Sequence, residues 1–317
     1  MTLTIPVPSV SHDRVELADW IELEAIQSED GASSFVEFTR QIHMTGSTDA
    51  MDGDMDQPDP VDVGGEQSEQ VALDAWAEIE RRQKACGGDD GSYPFDVTAG
   101  SIVLKQGWQE SPYVFQLLLT QFGLKAGPIG TFPERLFEHL AALAASNYLG
   151  GNSNGARFYC FGFPRPDGTG FVTALNALCQ QMHVGRVRLD DPKIKLEKDS
   201  HLDVVAWRPF RDNQSSQLVL FGQCGVGDNW GREKLVELQP RNFREKWLAD
   251  GFYPEPVRMF FVPRCVEQRD WRTTSIDGGI IFDRCRITEI VGNPDDEERK
   301  ARRKWSVHVV RRLRSEI

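Results

Sequence analysis

Apolar positions recur at helical spacing through the first forty residues. Between 13 and 43, Val15, Leu17, Trp20, Ile21 and Leu23 are followed, after a SEDGASS break, by Phe35, Val36 and Phe38, which predicts a helical hairpin. Residues 44–68 lose this pattern and become rich in Gly, Asp and Pro, the composition of a flexible acidic linker. EQVALDAWAEIERRQKAC (69–86) then fits one amphipathic helix stopped by Gly87 and Gly88. Tyr93–Leu104 reads as a short hairpin, and SPYVFQLLLTQFG as an apolar helix ending at Gly123.

The pattern changes near Gly127. PERLFEHLAALAASNYL (133–149) is an Ala/Leu-rich helix with Pro at its first turn and two glycines beyond its end. ARFYCFGFPR reads as a strand and FVTALNALCQQMHV as a helix buried through Val172, Leu175, Leu178, Cys179 and Met182. LDVVAWRPF and QLVLFGQCGV are apolar strands joined by the polar turn RDNQSSQ, a hairpin signal. A helix over NWGREKLVELQP starts near Asp228, and VRMFFVPRCV and GGIIFDRCRITEIV each read as a strand or a strand passing into a turn. The expectation is an α/β unit over 126–317 with a mixed central sheet flanked by helices and a basic C-terminal helix, preceded by a mainly helical region over 1–125.

The 317 residues are 40% hydrophobic and 26% charged, enough apolar material for a sizeable core. No apolar run reaches the roughly 18–20 residues of a bilayer span. The N-terminus lacks a basic stretch leading into an apolar one, so a soluble, cytoplasmic protein with no membrane partner is expected. Six cysteines form no CxxC pair and no zinc-finger spacing, and read as buried thiols. The six histidines form neither HxH nor HxxxH, which removes support for zinc hydrolase or HNH chemistry, and no GxxxxGK[ST] loop is present. The net charge of −12 does not advertise nucleic-acid binding, but its distribution is uneven. Asp49, Asp52, Asp54, Asp56, Asp59, Asp62, Glu66 and Glu69 crowd one stretch, which reads as an autoinhibitory or partner-binding loop or as an insertion without a role. Arg299–Arg314 is strongly basic, either a phosphate-contacting element or the solvated face of a helix whose acidic start at Asp295–Glu298 suits its dipole.

The chemistry concentrates on the hairpin. Asp203 opens an otherwise apolar strand, where a carboxylate needs a cation, a helix N-terminus or a metal. On the paired strand Gln223 and Cys224 run into Gly225, with Gly222 and Gly227 permitting close backbone approach. Asp203 and Gln223 at one end of the sheet offer oxygens to a hard cation. His201 lies two residues before Asp203, and Asn229 and Trp230 open the next helix as cap and packing anchor or as substrate contacts.

The order of a helix carrying Glu138, a strand with Asp203 and a paired strand with Gln223 resembles the PD-(D/E)xK nuclease superfamily over roughly residues 130–290. Its Gln variant is typical of the Mrr-like and Holliday-junction-resolvase-like branches. The resemblance implies a restriction-endonuclease-like α-β-β-β-α-β core hydrolysing DNA phosphodiester bonds. Mg²⁺ or Mn²⁺ would be held by Asp203, Gln223, Glu138 and the Cys224 carbonyl. Asp203, Gln223, Lys234 and Glu138 would form the catalytic set. The family lysine would sit at position 225, which is Gly225 here, so Lys234 is the implied substitute and Arg208 a second candidate cation.

The resemblance further implies the effector of a bacterial restriction or antiphage-defence system. Such an effector would act with a protein partner encoded in the same operon and leave room for a homo-oligomer. The alternative is a catalytically degenerate restriction-like fold that binds DNA or scaffolds a defence complex, which Gly225 and the negative charge favour. A third reading, an unrelated α/β enzyme using Asp203 and Cys224, lacks a His near Cys224 in sequence.

Overall fold

The computed structural model describes residues 3–49, 63–190, 192–250, 254–292, 294 and 297–315. The chain divides into two compact units, Met1–Thr131 with Asp295–Ile317, and Phe132–Pro294.

Unit 1 begins with α1 (Arg14–Gln27), whose start is fixed by a capping box: the Asp13 carboxylate accepts from the Val15 and Glu16 amides, both at 2.9 Å, and the Glu16 side chain accepts from the Asp13 amide. The SEDGASS break holds a short strand, β1 (Ala32–Ser34), before α2 (Phe35–Asp49) and α3 (Val63–Ala85). β2 (Phe95–Val97) and β3 (Ser101–Leu104) form the expected hairpin, and β1 adds to it in the antiparallel order β1-β3-β2. α4 (Pro112–Phe122) starts on a Ser111 cap and ends at Gly123. Much of the expected linker is helical, since α2 extends to Asp49 and α3 begins at Val63; Phe35 packs edge-on against Trp76, and such packing outweighs local composition. The rest of the acidic stretch, including Asp52, Asp54, Asp56, Asp59 and Asp62, lies outside the described residues.

A buried ion network ties the helices of unit 1. Arg82, with no exposed surface, contacts Asp19 at 2.7 Å, Glu22 at 3.0 Å and Glu78 at 3.0 Å, and donates to the Val15 carbonyl at 2.8 Å. The Tyr93 and Tyr113 hydroxyls both donate to Glu22, each at 2.7 Å.

Unit 2 is a mixed five-stranded sheet flanked by helices. α5 (Pro133–Tyr148) leads into β4 (Arg157–Cys160), α6 (Phe171–Met182), β5 (Val204–Arg208) and β6 (Leu218–Cys224). A π-helical turn, Trp230–Lys234, runs into one α turn, α7 (Leu235–Glu237), followed by α8 (Pro240–Trp247), β7 (Val257–Phe261), α9 (Trp271–Gly278), β8 (Ile280–Phe282) and α10 (Arg284–Val291). The strand order is β4-β5-β6-β7-β8; β5 runs antiparallel to both its neighbours, β4 and β6, and β7 and β8 continue parallel to β6. Val205, Trp207, Val219 and Phe221 share one sheet face with Leu178 of α6 and Phe243 and Trp247 of α8. The alternate residues Val204, Ala206 and Leu220 are equally buried on the face where α5 packs.

Three differences from the sequence-based expectation have plain causes. The helix expected over 229–240 is broken because Pro240 has no N–H to give to a helix interior and instead opens α8. The 278–291 stretch is a three-residue strand followed by a helix, because the Asp283 carboxylate caps α10 by accepting from the Arg286 amide at 3.0 Å. The basic helix, α11 (Arg299–Arg314), belongs to unit 1: Trp305 is fully buried edge-on against Phe115, and Arg299 pairs with Glu110. Arg312 and Arg314 donate to the carbonyls of Ala126 and Ile26 at 2.8 and 2.9 Å, so several of its cations are satisfied within the chain. Among the described residues no helix is long and apolar enough to cross a membrane.

Candidate active site

The candidate residues gather where β5 begins and β6 ends. Asp203, the residue before β5, is pinned from both sides: its carbonyl accepts from the Phe161 and Gly162 amides at 2.6 and 3.1 Å, and its amide donates to the Gly222 carbonyl at 2.9 Å. Its carboxylate Oδ2 accepts from the Cys224 amide at 2.7 Å. The chain reaches this position through two consecutive left-handed residues, Ser200 (φ 54°) and His201 (φ 64°). Such backbone is costly for residues with a Cβ and persists where its surroundings hold it. Here Trp247 donates to the Ser200 hydroxyl at 2.9 Å and the His201 amide to Asp199 at 3.0 Å.

Glu138 reaches the same place from α5. A Cβ at 162 would stand 2.6 Å from its Oε2, so a larger residue there would displace this carboxylate. Burial, then the charges of Asp203 and Asp199, push the Glu138 carboxyl up to about 9. Asp203 is pushed up to about 7 by burial, which outweighs the Cys224 hydrogen bond; Asp199 and Glu237 raise it further and the Lys234 ammonium lowers it. The charge of Asp203 raises the proton affinity of Glu138, so the two titrate as a pair and favour a proton or a cation held at this place.

The structure brings Glu138, Asp203, Cys224 and Lys234 into one electrostatic neighbourhood, but gives Gln223 another task. The Gln223 side-chain oxygen accepts from the Leu238 amide at 3.1 Å and its NH₂ donates to Glu237 at 2.7 Å. It therefore anchors the segment carrying Lys234 to the end of β6, and its carbonyl is engaged there. Cys224 presents its amide to Asp203, and strand geometry turns the carbonyl of a residue toward the same neighbour as its N–H. Its thiol is raised well above the usual range by burial, Asp203 and Glu138, which keeps it protonated and speaks against a nucleophilic role.

No side chain fits at Gly225. A Cβ there would meet Phe260 at 2.6 Å and Trp230 at 2.9 Å, which excludes the lysine of the family pattern on steric grounds. The chain matches no family model, no curated protein and no solved structure. Arg208 lies at the far end of β5, about 17 Å along the strand from Asp203. There it lines a separate groove of about 1060 Å³ with Phe210 and Arg211. Asn229 donates to Glu233 at 3.2 Å on the exposed surface, and Trp230 serves packing by stacking on Phe260.

Glu237 is the residue that sequence reading passed over. It accepts from Gln223 and faces His201 Nδ1 at 3.2 Å, and it acts on Asp203. Its spacing of three from Lys234 on a continuous helical stretch was the available signal, since residues so spaced share a side.

Proposed function

We propose that the protein is a divalent-cation-dependent nuclease that hydrolyses DNA phosphodiester bonds, with a restriction-endonuclease-like core in unit 2. The observation that carries this reading is the part-buried Glu138–Asp203 pair with the charge of Lys234 acting on it. The element order supports it: α5-β4-β5-β6, a helical segment and β7 follow the α-β-β-β-α-β order of that superfamily, with α6 inserted after the first strand.

The donor set suits a hard cation. Two carboxylates whose proton affinities are raised by burial and by neighbouring acids lose that penalty when a divalent ion replaces the proton. Asp203 and Glu138 would hold it, with the Cys224 carbonyl as a third oxygen, and Gln223 serving as an anchor. When bound, Mg²⁺ or Mn²⁺ supplies a Lewis acid at a phosphate oxygen and a water of lowered pKa.

The chain's own groups do the rest. The Cys224 amide fixes the Asp203 carboxylate, and the absence of a side chain at Gly162 leaves room for that of Glu138. Lys234 offsets the negative charge that accumulates on the phosphate in the transition state. Glu237, bridged to His201 and Gln223, holds the segment that carries Lys234. The choice of DNA, a role in bacterial restriction or antiphage defence, and a partner encoded nearby rest on the family resemblance alone.

The test is incubation with plasmid and linear DNA in Mg²⁺ or Mn²⁺, repeated with Asp203→Ala and Lys234→Ala. Metal-dependent cleavage lost in Asp203→Ala supports the reading, and cleavage surviving that substitution overturns the assignment. The closed position at Gly225 and the engaged Gln223 favour a second reading, a degenerate fold that binds DNA without cutting it. Retained DNA binding with no cleavage in either metal selects that one.

A further inference from the structure

Cys265 and Cys285 are twenty positions apart, yet their sulfurs lie 3.6 Å from each other. Parallel pairing of β7 and β8 brings them together, since each follows the carboxyl end of one of these neighbouring strands. Asp283 completes a group in which one sulfur from each cysteine and a carboxylate oxygen all lie within 4.8 Å of one another. All three residues are buried, with 5%, 1% and 1% of their surfaces exposed for Cys265, Cys285 and Asp283.

We propose that Cys265, Cys285 and Asp283 form a binding site for a thiophilic divalent cation of the zinc class, separate from the carboxylate site. Two thiolates on one tetrahedral Zn²⁺, each about 2.3 Å from the metal, stand roughly 3.8 Å apart. The observed spacing therefore needs almost no adjustment. The backbone around them is already fixed: the Val262 amide donates to the Phe282 carbonyl at 3.0 Å, and the Arg284 amide to the Arg264 carbonyl at 3.1 Å.

Asp283 is likewise oriented, accepting from the Arg286 amide on one oxygen and from the Val266 amide, at 3.4 Å, on the other. Each carboxylate oxygen has a second lone pair for a metal. Two thiolates and a carboxylate on Zn²⁺ carry one net negative charge. The fully buried Arg284 guanidinium, which donates to the Pro263 carbonyl at 2.9 Å, lies in the same pair of turns and offsets it. Three protein ligands leave a fourth position for water. The sulfur-rich set selects zinc-class ions over Mg²⁺, so the two sites would sort soft from hard cations. Binding releases the two thiol protons as the two metal–sulfur bonds form, with no change of oxidation state.

The test uses the full chain, reduced and stripped with a chelator, then titrated with Zn²⁺ or with Co²⁺ as a spectroscopic probe. The expected result is one sulfur-ligated ion per chain, about two protons released as it binds, and thiolate-to-cobalt charge-transfer absorption with tetrahedral d–d bands. Cys265→Ser with Cys285→Ser should abolish the charge-transfer bands, and Asp283→Asn should keep them while weakening affinity at least about tenfold. Asp203→Asn should leave the stoichiometry unchanged, which separates this site from the nuclease reading. Three results overturn the proposal: a wild-type chain that takes up no Co²⁺ with sulfur bands, bands that survive in the double-serine variant, or a thiol pair that forms a disulfide yet binds no metal after reduction. The wild-type spectrum decides even if a variant fails to fold.

Discussion

Each unit holds a cluster of charge, and the two are built in opposite ways. In unit 1 the Arg82 guanidinium lies among Asp19, Glu22 and Glu78, with two tyrosine hydroxyls donating to Glu22. Burial pushes the Glu78 carboxyl up, but the hydrogen bond from Arg81 and the charges of Arg82 and Arg81 prevail, and it ends below the usual carboxylate range. In unit 2 Glu138 and Asp203 gather beside Asp199 and Glu237, and their proton affinities rise. In the first cluster a buried guanidinium and two hydroxyls of the chain itself answer the carboxylates, which lowers the cost of desolvating them. The second leaves its carboxyl groups with raised proton affinity, the deficit that the proposed metal site would use.

The largest effect that separates them is on folding. Arg82→Ala leaves carboxylates buried without their cation and should cost about 3–5 kcal/mol in denaturant unfolding. Adding Glu22→Gln should recover part of that loss. Asp203→Asn should do the reverse, with metal-free stability at pH 8 unchanged or higher, because an amide keeps an acceptor for the Cys224 amide and removes a repelling charge. DNA cleavage by the same variant should fall by about 10²–10³, the scale of losing a key electrostatic group. A parallel fall in stability on Asp203→Asn would mean that the pair is structural.

Lys234→Ala should lower the cleavage rate by roughly 10–100-fold with little change in thermal midpoint, the scale expected for a positioned charge. The smallest effect is the pH dependence of the metal-free protein. The folded state holds protons on Glu138 to about pH 9 and on Asp203 to about pH 7, whereas the unfolded chain releases them near its ordinary values of 4.5 and 3.8. Rising pH therefore favours the unfolded chain across that window, and the slope vanishes above it. The slope is at most about 1.4 kcal/mol per pH unit per proton, reduced here because both groups are partly exposed. Thermal midpoints between pH 5 and 9 should fall with pH, and Glu138→Gln should flatten the fall; an unchanged slope would show that Glu138 is not the group concerned.

The sequence carried the secondary structure of the sheet better than the geometry of its edge. β5 and β6 were legible because their apolar residues end in a polar turn, and α5 because its Ala/Leu stripe starts at a proline and stops at two glycines. α10 was not, because one buried carboxylate at Asp283 converts a strand-like run into a helix. α9 has no apolar stripe strong enough to announce it. At the site, Asp203 was readable as a carboxylate out of place in an apolar strand, whereas Glu138 came only from the resemblance in element order. The engagement of Gln223 with Leu238 and Glu237 depends on how the π-helical turn aims the segment after β6, which residue types alone do not encode. The notch at Gly162 arises only once α5 crosses the end of β4.

The composition of unit 1 bears on the order of events as the chain is made. Its helices α1 to α4 leave the ribosome first, but Trp305 of α11, which packs on Phe115, emerges only after all of unit 2 has been synthesised. The sheet of unit 2 is a continuous run of chain and can close while unit 1 still exposes the apolar surface that Trp305 covers. A nascent chain halted just after Pro294 should therefore carry a protease-resistant unit 2 and a protease-sensitive N-terminal region, and release of the last helix should protect both.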